Sequence, residues 1–399
     1  MTLAKHTKLL DDLVSQVEVP ESAYTKAEER YHSLGEWLCS KEAESHEYEP
    51  SVFPQGSFRL GTAIKPLNEA EEYDLDIACE LMTGIDQESH SQKEVKDLVG
   101  RDIKRYKEKY GIQKPIEEKH RCWCMEYSDK VNFHMDIVPC IPDGDSAKSR
   151  LVEAMTITGI QLTAASNLSS SAILITDDRH EDYRDKPSFW QMSNPEGYAK
   201  WFESRMELTK GEGRGMVCEA SVEPLPVFQR KKTLQKVVQL LKRHRDNMFK
   251  DNPDSKPISI IITTIAGASY DGSQDLIDAI PPVLSGLQQV AASNVDSIPN
   301  PVNPDENFAD KWTREDCANL HLKENFKTWV RQVSVDFSQL LNPIGFELVS
   351  EALSDGWAVD ANKTGITAKY KSILDKTKSP VIHVSSVNPE AKPWRVSAK

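Results

Sequence analysis

A chain of 399 residues with 39% hydrophobic content can bury a sizeable core and exceeds the usual size of one domain, which predicts two lobes with a cleft between them. The 62 acidic residues against 49 basic give a net charge of −13, which argues against a protein whose task is gripping a long nucleic-acid backbone but leaves room for a small anion in a local basic pocket. No stretch approaches the ~18 apolar residues of a membrane helix, the start MTLAKHTKLLDDLV breaks into charge before a signal core forms, and seven scattered cysteines read as reduced thiols, so the expectation is a soluble cytoplasmic protein with no membrane partner.

Leu9, Leu10, Leu13, Val14 and Val17 form one apolar stripe ahead of Pro20, and Tyr24, Ala27, Tyr31, Leu34 and Leu38 form a second, predicting two helices in the first fifty residues. Pro50 and Pro54 end that register. YDLDIACEL alternates like a strand, and Val95, Leu98, Val99, Ile103 and Tyr106 place a helix over 92–110. RCWCMEY and VNFHMDIVP then read as a hairpin around Ser128, Asp129 and Lys130, giving a sheet of at least three strands. Residues 143–187 give no clear pattern beyond the apolar run AILI. NPEGYAKWFESRM reads as a short helix opened by Pro195. The Gly-, Pro- and charge-rich stretch after it predicts a mobile loop over 211–227, dividing a first unit, 1–210, from a helical lobe over 228–360. In that lobe Leu234, Val237, Val238 and Leu241 share a helix face, ISIIITTIAGA reads as a buried helix despite its β-branched residues, and further helices fall over 274–292 and 314–341. From about Ala361 the composition turns polar, predicting a partly flexible tail over 361–399.

The chemistry sits in the strands. On YDLDIACEL, Asp74 and Asp76 share one face while Leu75 and Ile77 enter the core. Two carboxylates side by side repel unless a cation lies between them, and hard oxygen donors suit Mg²⁺ or Mn²⁺. Asp136 stands on the polar face of VNFHMDIVP with Asn132 and His134. Pairing of these two strands brings three carboxylates together, enough for two ions spaced as in two-metal phosphoryl transfer. Upstream, Gly56 and Ser57 precede FRLGT, a segment able to open a helix; glycine lets a phosphate approach the backbone, and the free N–H groups and the Ser57 hydroxyl can donate to it. Taken singly, a Gly-Ser pair is usually a turn and D-x-D usually a solvated strand face.

QGSFRLGTAIKP, YDLDIACEL and FHMDIVP, in that order, resemble the DNA polymerase β-like nucleotidyltransferase superfamily, and within it the chain is similar to the bacterial cGAS-like synthases of cyclic oligonucleotides. The resemblance implies an α+β fold: a mixed-sheet nucleotidyltransferase core with helices, a mainly helical C-terminal lobe, and a nucleotide cleft between them. It implies Asp74, Asp76 and Asp136 as catalytic residues holding two Mg²⁺ or Mn²⁺ ions, with nucleoside triphosphates, ATP or GTP among them, as substrates. Lys242 matches the lysine that relatives place on the donor triphosphate, Ser259 is a further candidate for a phosphate contact, and Gln55 either meets nucleotide or shapes the turn. The implied product is a cyclic di- or trinucleotide acting in antiphage signalling. Implied partners are a protein activator of HORMA type or an enzyme that conjugates the C-terminus.

Other readings give way to this one. Cys122, Cys124 and His120 lack a second pair at zinc-finger spacing and read as structural. His134, beside Asp136 on the polar face, either tunes the site or is a packed or surface histidine, the favoured reading; NPVNPDENF either lines the nucleotide pocket through Asn303, Asn307 or Phe308 or is a structural turn, again the favoured reading. Lys231, Lys232, Lys236, Lys242, Arg243 and Arg245 form a basic run of the kind that is usually a solvated helix face. A linear nucleotidyltransferase acting on RNA or protein, and a nucleotide-binding sensor without turnover, are the competing functions.

Overall fold

The computed structural model describes residues 3–68, 71–127, 132–187, 189–208, 231–342 and 345–374. The expected loop over 211–227, the turn at Ser128 to Lys130 and the tail beyond residue 374 lie outside these.

The chain opens with α1 (Leu3–Val17) and α2 (Glu21–Leu38), followed by β1 (Pro50–Pro54), the one-turn helix α3 (Gly56–Arg59), β2 (Tyr73–Leu81) and α4 (Gln92–Tyr110). The start of α4 is fixed by reciprocal bonds between Ser91 and Glu94, each side chain accepting from the other's backbone N–H, and its end by Gly111 in the left-handed region. Then come β3 (Ile116–Glu118), β4 (Trp123–Tyr127), β5 (Phe133–Pro142), α5 (Asp145–Ile157), α6 (Leu162–Ser169), β6 (Ile173–Ile175), β7 (Gln191–Ser193) and α7 (Pro195–Met206). The part without a clear sequence pattern thus folds as two helices and a three-residue strand made from AILI.

The seven strands form one mixed sheet in the order β1-β2-β5-β4-β3, with β6 on β5 and β7 on β6. β2 and β5 are parallel, with α4 in the connection between them, and their register sets Asp76 opposite Asp136 and Asp74 opposite His134. Leu75, Ile77, Met135 and Ile137 are fully buried beneath, packed with residues of α2 and α4.

The described residues from 231 to 374 are mostly helical: α8 (Thr233–Met248), α9 (Ser259–Ser269), α10 (Leu276–Ala292), α11 (Leu322–Leu341), α12 (Phe346–Trp357) and α13 (Ile366–Leu374), with a small hairpin of β8 (Pro299–Asn300) and β9 (Asn303–Asn307) before α11. The ambiguous ISIIITTIAGA is the buried helix α9. The helix expected over 314–341 begins only at Leu322, after a separate 3-10 turn at Glu315–Leu320. These helices share an apolar core with Leu9, Leu13 and Val17 of α1.

One expectation is reversed. Lys242, Arg243 and Arg245 are buried, not solvated. The polar face of α8 lies against the chain that follows α3. Gln235, Gln239 and Lys242 donate to the carbonyls of Leu60, Ala63 and Thr62 at 2.9, 2.8 and 2.9 Å, and Arg243 donates to that of Lys65. The two glutamines and the two basic side chains of α8 thus satisfy the backbone carbonyls of this segment.

Candidate active site

The β2–β5 register places Asp74, Asp76, His134 and Asp136 on one face of the sheet. One ligand atom each from Asp74, His134 and Asp136 falls within a sphere where all lie less than 4.8 Å apart. The three carboxyls differ in charge environment. Burial, then the charges of Asp74 and Asp136, pushes Asp76 up to about 8. Asp74 is raised by burial and by Asp136. Burial also works against a charge on Asp136, but the hydrogen bond and charge of His134 and the Lys119 ammonium outweigh it and hold that carboxyl below the usual range.

His134 Nε2 is 2.8 Å from Asp136 Oδ1, and this bond, with a contact to Cys124, raises the imidazole to about 10. Among the described residues neither Asp74 nor Asp76 has an ion-pair partner, and the positive charges of Lys242 and His134 only partly offset burial and mutual repulsion, an environment that a hard divalent cation relieves. Carboxylate oxygens are hard donors of the kind Mg²⁺ or Mn²⁺ takes; among the described residues Asp74 and Asp136 fall in one donor group with His134, while Asp76, on the same face, is not one of its three members.

Gly56 opens α3 with φ +63, and a Cβ there would meet Asp76 Oδ2 at 2.0 Å. Only glycine lets the turn pass this close to the acid. The Gln55 N–H donates to the Asp76 carbonyl at 2.9 Å, so the turn and the acid move as one piece. The half-buried Ser57 anchors the return of the chain, its carbonyl accepting from Thr62 and Ala63 N–H. Helix α3 begins at Gly56 itself rather than in the FRLGT that follows. Arg59, at its end, is clamped by α7: Nε and Nη2 reach Glu196 at 3.0 and 2.9 Å, and Nη1 reaches Glu203 at 2.5 Å.

Lys242 approaches from α8. Burial, then Arg245, lowers its ammonium to about 8, while Asp246, Asp74 and Asp76 pull the other way. It is thus the buried cation of α8 that feels the paired acids. Ser259 stands at the start of α9, where its hydroxyl accepts from Arg245 Nη1 at 2.8 Å. That bond joins it to α8 rather than to Asp74, Asp76 or Asp136.

Two further groups meet Asp136. His134, for which a packed or surface role was favoured over tuning the site, bonds Asp136, as its place two residues earlier on the same strand face allows. Lys119, 3.1 Å from Asp136, carried no signal at all. His120 turns to Asp178, 2.7 Å away, whereas Cys124, buried like Cys122, has its Sγ 3.2 Å from His134 Nε2. Cys124, Glu126 and His134 form a second donor group.

Beside Lys119 opens a groove of about 1530 Å³. Arg121 and Arg179 line it from the sheet side, and Asn303, Glu306 and Phe308 line it from the β8–β9 hairpin. NPVNPDENF is therefore both a structural hairpin, tied by Asn300 Nδ2 to Glu306 at 2.7 Å, and a groove wall. Basic, acidic and aromatic side chains together suit a nucleotide better than an apolar ligand.

Residues 50–139, which contain Gln55, Gly56, Ser57 and the three acids, match the family described as cyclic GMP-AMP synthase DncV-like, nucleotidyltransferase domain. A c-di-GMP synthase of Roseivirga ehrenbergii is 28% identical over 351 residues, covering 86% of this chain and 82% of that one. The Bradyrhizobium diazoefficiens CD-NTase CdnG in complex with GTP superposes with a TM-score of 0.63 at 18% identity, over 92% of this chain and 98% of that one. The E. coli MS115-1 CdnC in its complex with HORMA-deltaN gives 0.57 at 13% identity, over 90% and 99%. The chain is accordingly a nucleotidyltransferase built around a DncV-like domain, a relative of the bacterial CD-NTases.

Proposed function

We propose that this nucleotidyltransferase condenses nucleoside triphosphates into a cyclic dinucleotide or trinucleotide second messenger, releasing pyrophosphate at each step, and that the product signals in antiphage defence in the bacterial cytoplasm. The observation that carries the reaction is the β2–β5 register, which sets Asp76 opposite Asp136 with the Gly56 turn packed on the same acid. The cyclic product rests on the relatives that make cyclic dinucleotides.

Asp74, Asp76 and Asp136 would hold Mg²⁺ or Mn²⁺, which supplies charge neutralisation for the triphosphate and acidifies the attacking ribose hydroxyl. The chain's own groups position the reactants. The Gly56 and Ser57 backbone and the Ser57 hydroxyl receive the donor phosphates, Gln55 holds the turn against β2, and Lys242 offers a point charge to the pyrophosphate that leaves. Ser259 fixes the Arg245 side of the same wall. The acceptor lies in the groove beside Lys119, and its hydroxyl attacks the donor α-phosphorus in line. The new P–O bond forms as the bond to the β-phosphate oxygen breaks, and the hydroxyl's proton passes to Asp136, which His134 keeps ionised. A protein trigger fits the acidic chain better than a long duplex does.

Release of pyrophosphate from labelled triphosphates in Mn²⁺ tests the reaction class. The proposal requires release by the wild type and its loss in Asp76→Ala; release that persists in that variant would refute the assignment.

A further inference from the structure

Lys119 reaches the catalytic face from the turn between β3 and β4. Its Nζ lies 3.1 and 3.3 Å from the two carboxylate oxygens of Asp136 and 2.6 Å from His134 Nε2. The turn is held from below: Lys96 of α4, fully buried, donates to the backbone carbonyl of Lys119 and, at 3.0 Å, to that of His120. Glu118 at 3.3 Å and Asp178 at 3.5 Å balance the buried charge of Lys96, so the turn that carries Lys119 is tied to α4 by a satisfied cation. Among the described residues, neither Asp74 nor Asp76 forms an ion pair of this kind. The Lys119 side chain is 37% exposed, with room to move, and it also lines the groove.

Resting on the reading of Asp136 as a metal ligand, we infer that Lys119 is the resident counter-ion of the metal-free site, engaging both oxygens of Asp136 until a divalent ion displaces it into the groove, where it meets the phosphates of the acceptor nucleotide. An ammonium and a divalent ion cannot share the same two oxygens without strong repulsion. Lys119 therefore weakens metal binding by the empty enzyme and strengthens nucleotide binding by the loaded one. Ion and substrate become coupled through one side chain, because each favours the position of Lys119 that the other needs.

The test is Mn²⁺ binding without nucleotide, followed by calorimetry and by the paramagnetic signal of free Mn²⁺, in the wild type, Lys119→Met, Lys119→Arg and Asp136→Ala. Methionine keeps the length of the stem and removes the charge, and matching melting temperatures would show that the variants fold. Lys119→Met binds Mn²⁺ about tenfold more tightly than the wild type, equal to ~1.4 kcal/mol, Lys119→Arg stays near the wild type, and the KM for triphosphate rises in Lys119→Met. Unchanged or weaker Mn²⁺ binding in Lys119→Met overturns the counter-ion role, and an unchanged KM overturns the release into the groove. Mn²⁺ binding that is unaffected by Asp136→Ala overturns the metal reading of Asp136 itself and this inference with it.

Discussion

A Cβ on residue 56 would stand 2.0 Å from Oδ2 of Asp76, so the turn after β1 and the acid on β2 are packed as closely as a glycine allows. With φ at +63, Gly56 also occupies backbone space that other residues enter at a cost of roughly 1–2 kcal/mol. Gly56→Ala is expected to lower the melting temperature modestly and to cut turnover about a hundredfold or more, since a shift of an ångström at a reacting centre has that effect. Steady-state kinetics beside a thermal melt separates the two losses.

Asp76 makes the metal-free protein sensitive to pH. Its carboxyl titrates at about 8 in the folded chain against an ordinary value of 3.8, so the folded state binds more protons than the unfolded state between those values. Stability of the metal-free protein therefore declines as pH rises through that window. Asp76→Asn removes this contribution and is expected to raise the metal-free melting temperature at neutral pH by roughly 3 °C, flatten its decline with pH, and abolish the stabilisation that Mg²⁺ gives the wild type. Melting curves across pH, with chelator and with Mg²⁺, measure all three.

Lys242 works in the opposite direction. Burial and Arg245 bring its ammonium down to about 8, whereas an unfolded lysine holds its proton to about 10.4. The unfolded state binds more protons between these values, so this residue's contribution to stability rises with pH there while its charge toward a triphosphate is lost. The KM for triphosphate is expected to climb above pH 8 in the wild type. In Lys242→Met it starts roughly tenfold higher, the loss of one charged hydrogen bond, and climbs less. A pH series of KM values decides it.

Arg59 joins α3 to α7 through Glu196 and Glu203 with little exposure of its own. Arg59→Ala leaves two carboxylates without their partner and is expected to cost roughly 2–3 kcal/mol in urea unfolding. Turnover should fall further than the stability loss explains, because Gly56 and Ser57 begin the same turn of helix.

Much of the site was readable from residue types and alternation alone. Asp74 and Asp76 share a face because strand side chains repeat every second residue, and the helix over 92–110 carries its own start and stop in Ser91 and Gly111. What resisted reading depends on contacts distant in the chain. The basic face of α8 resembles a solvated one until the carbonyls of Leu60, Thr62 and Ala63, more than a hundred residues away, are placed against it. Lys119 lies on a turn, where no periodicity applies, and its contact with Asp136 follows from strand order rather than spacing. Helices α5 and α6 are short and only partly apolar, so their pattern was too weak to separate from loop.

The central claim is the cyclic product, and the most direct test is to incubate the protein with all four labelled triphosphates and Mg²⁺ or Mn²⁺, digest with phosphatase, and weigh what survives. A phosphatase-resistant species with the mass of a cyclic dinucleotide or trinucleotide, present with the wild type and missing with Asp136→Ala, is the predicted result. Label appearing only in linear oligonucleotides or attached to RNA or protein would contradict it.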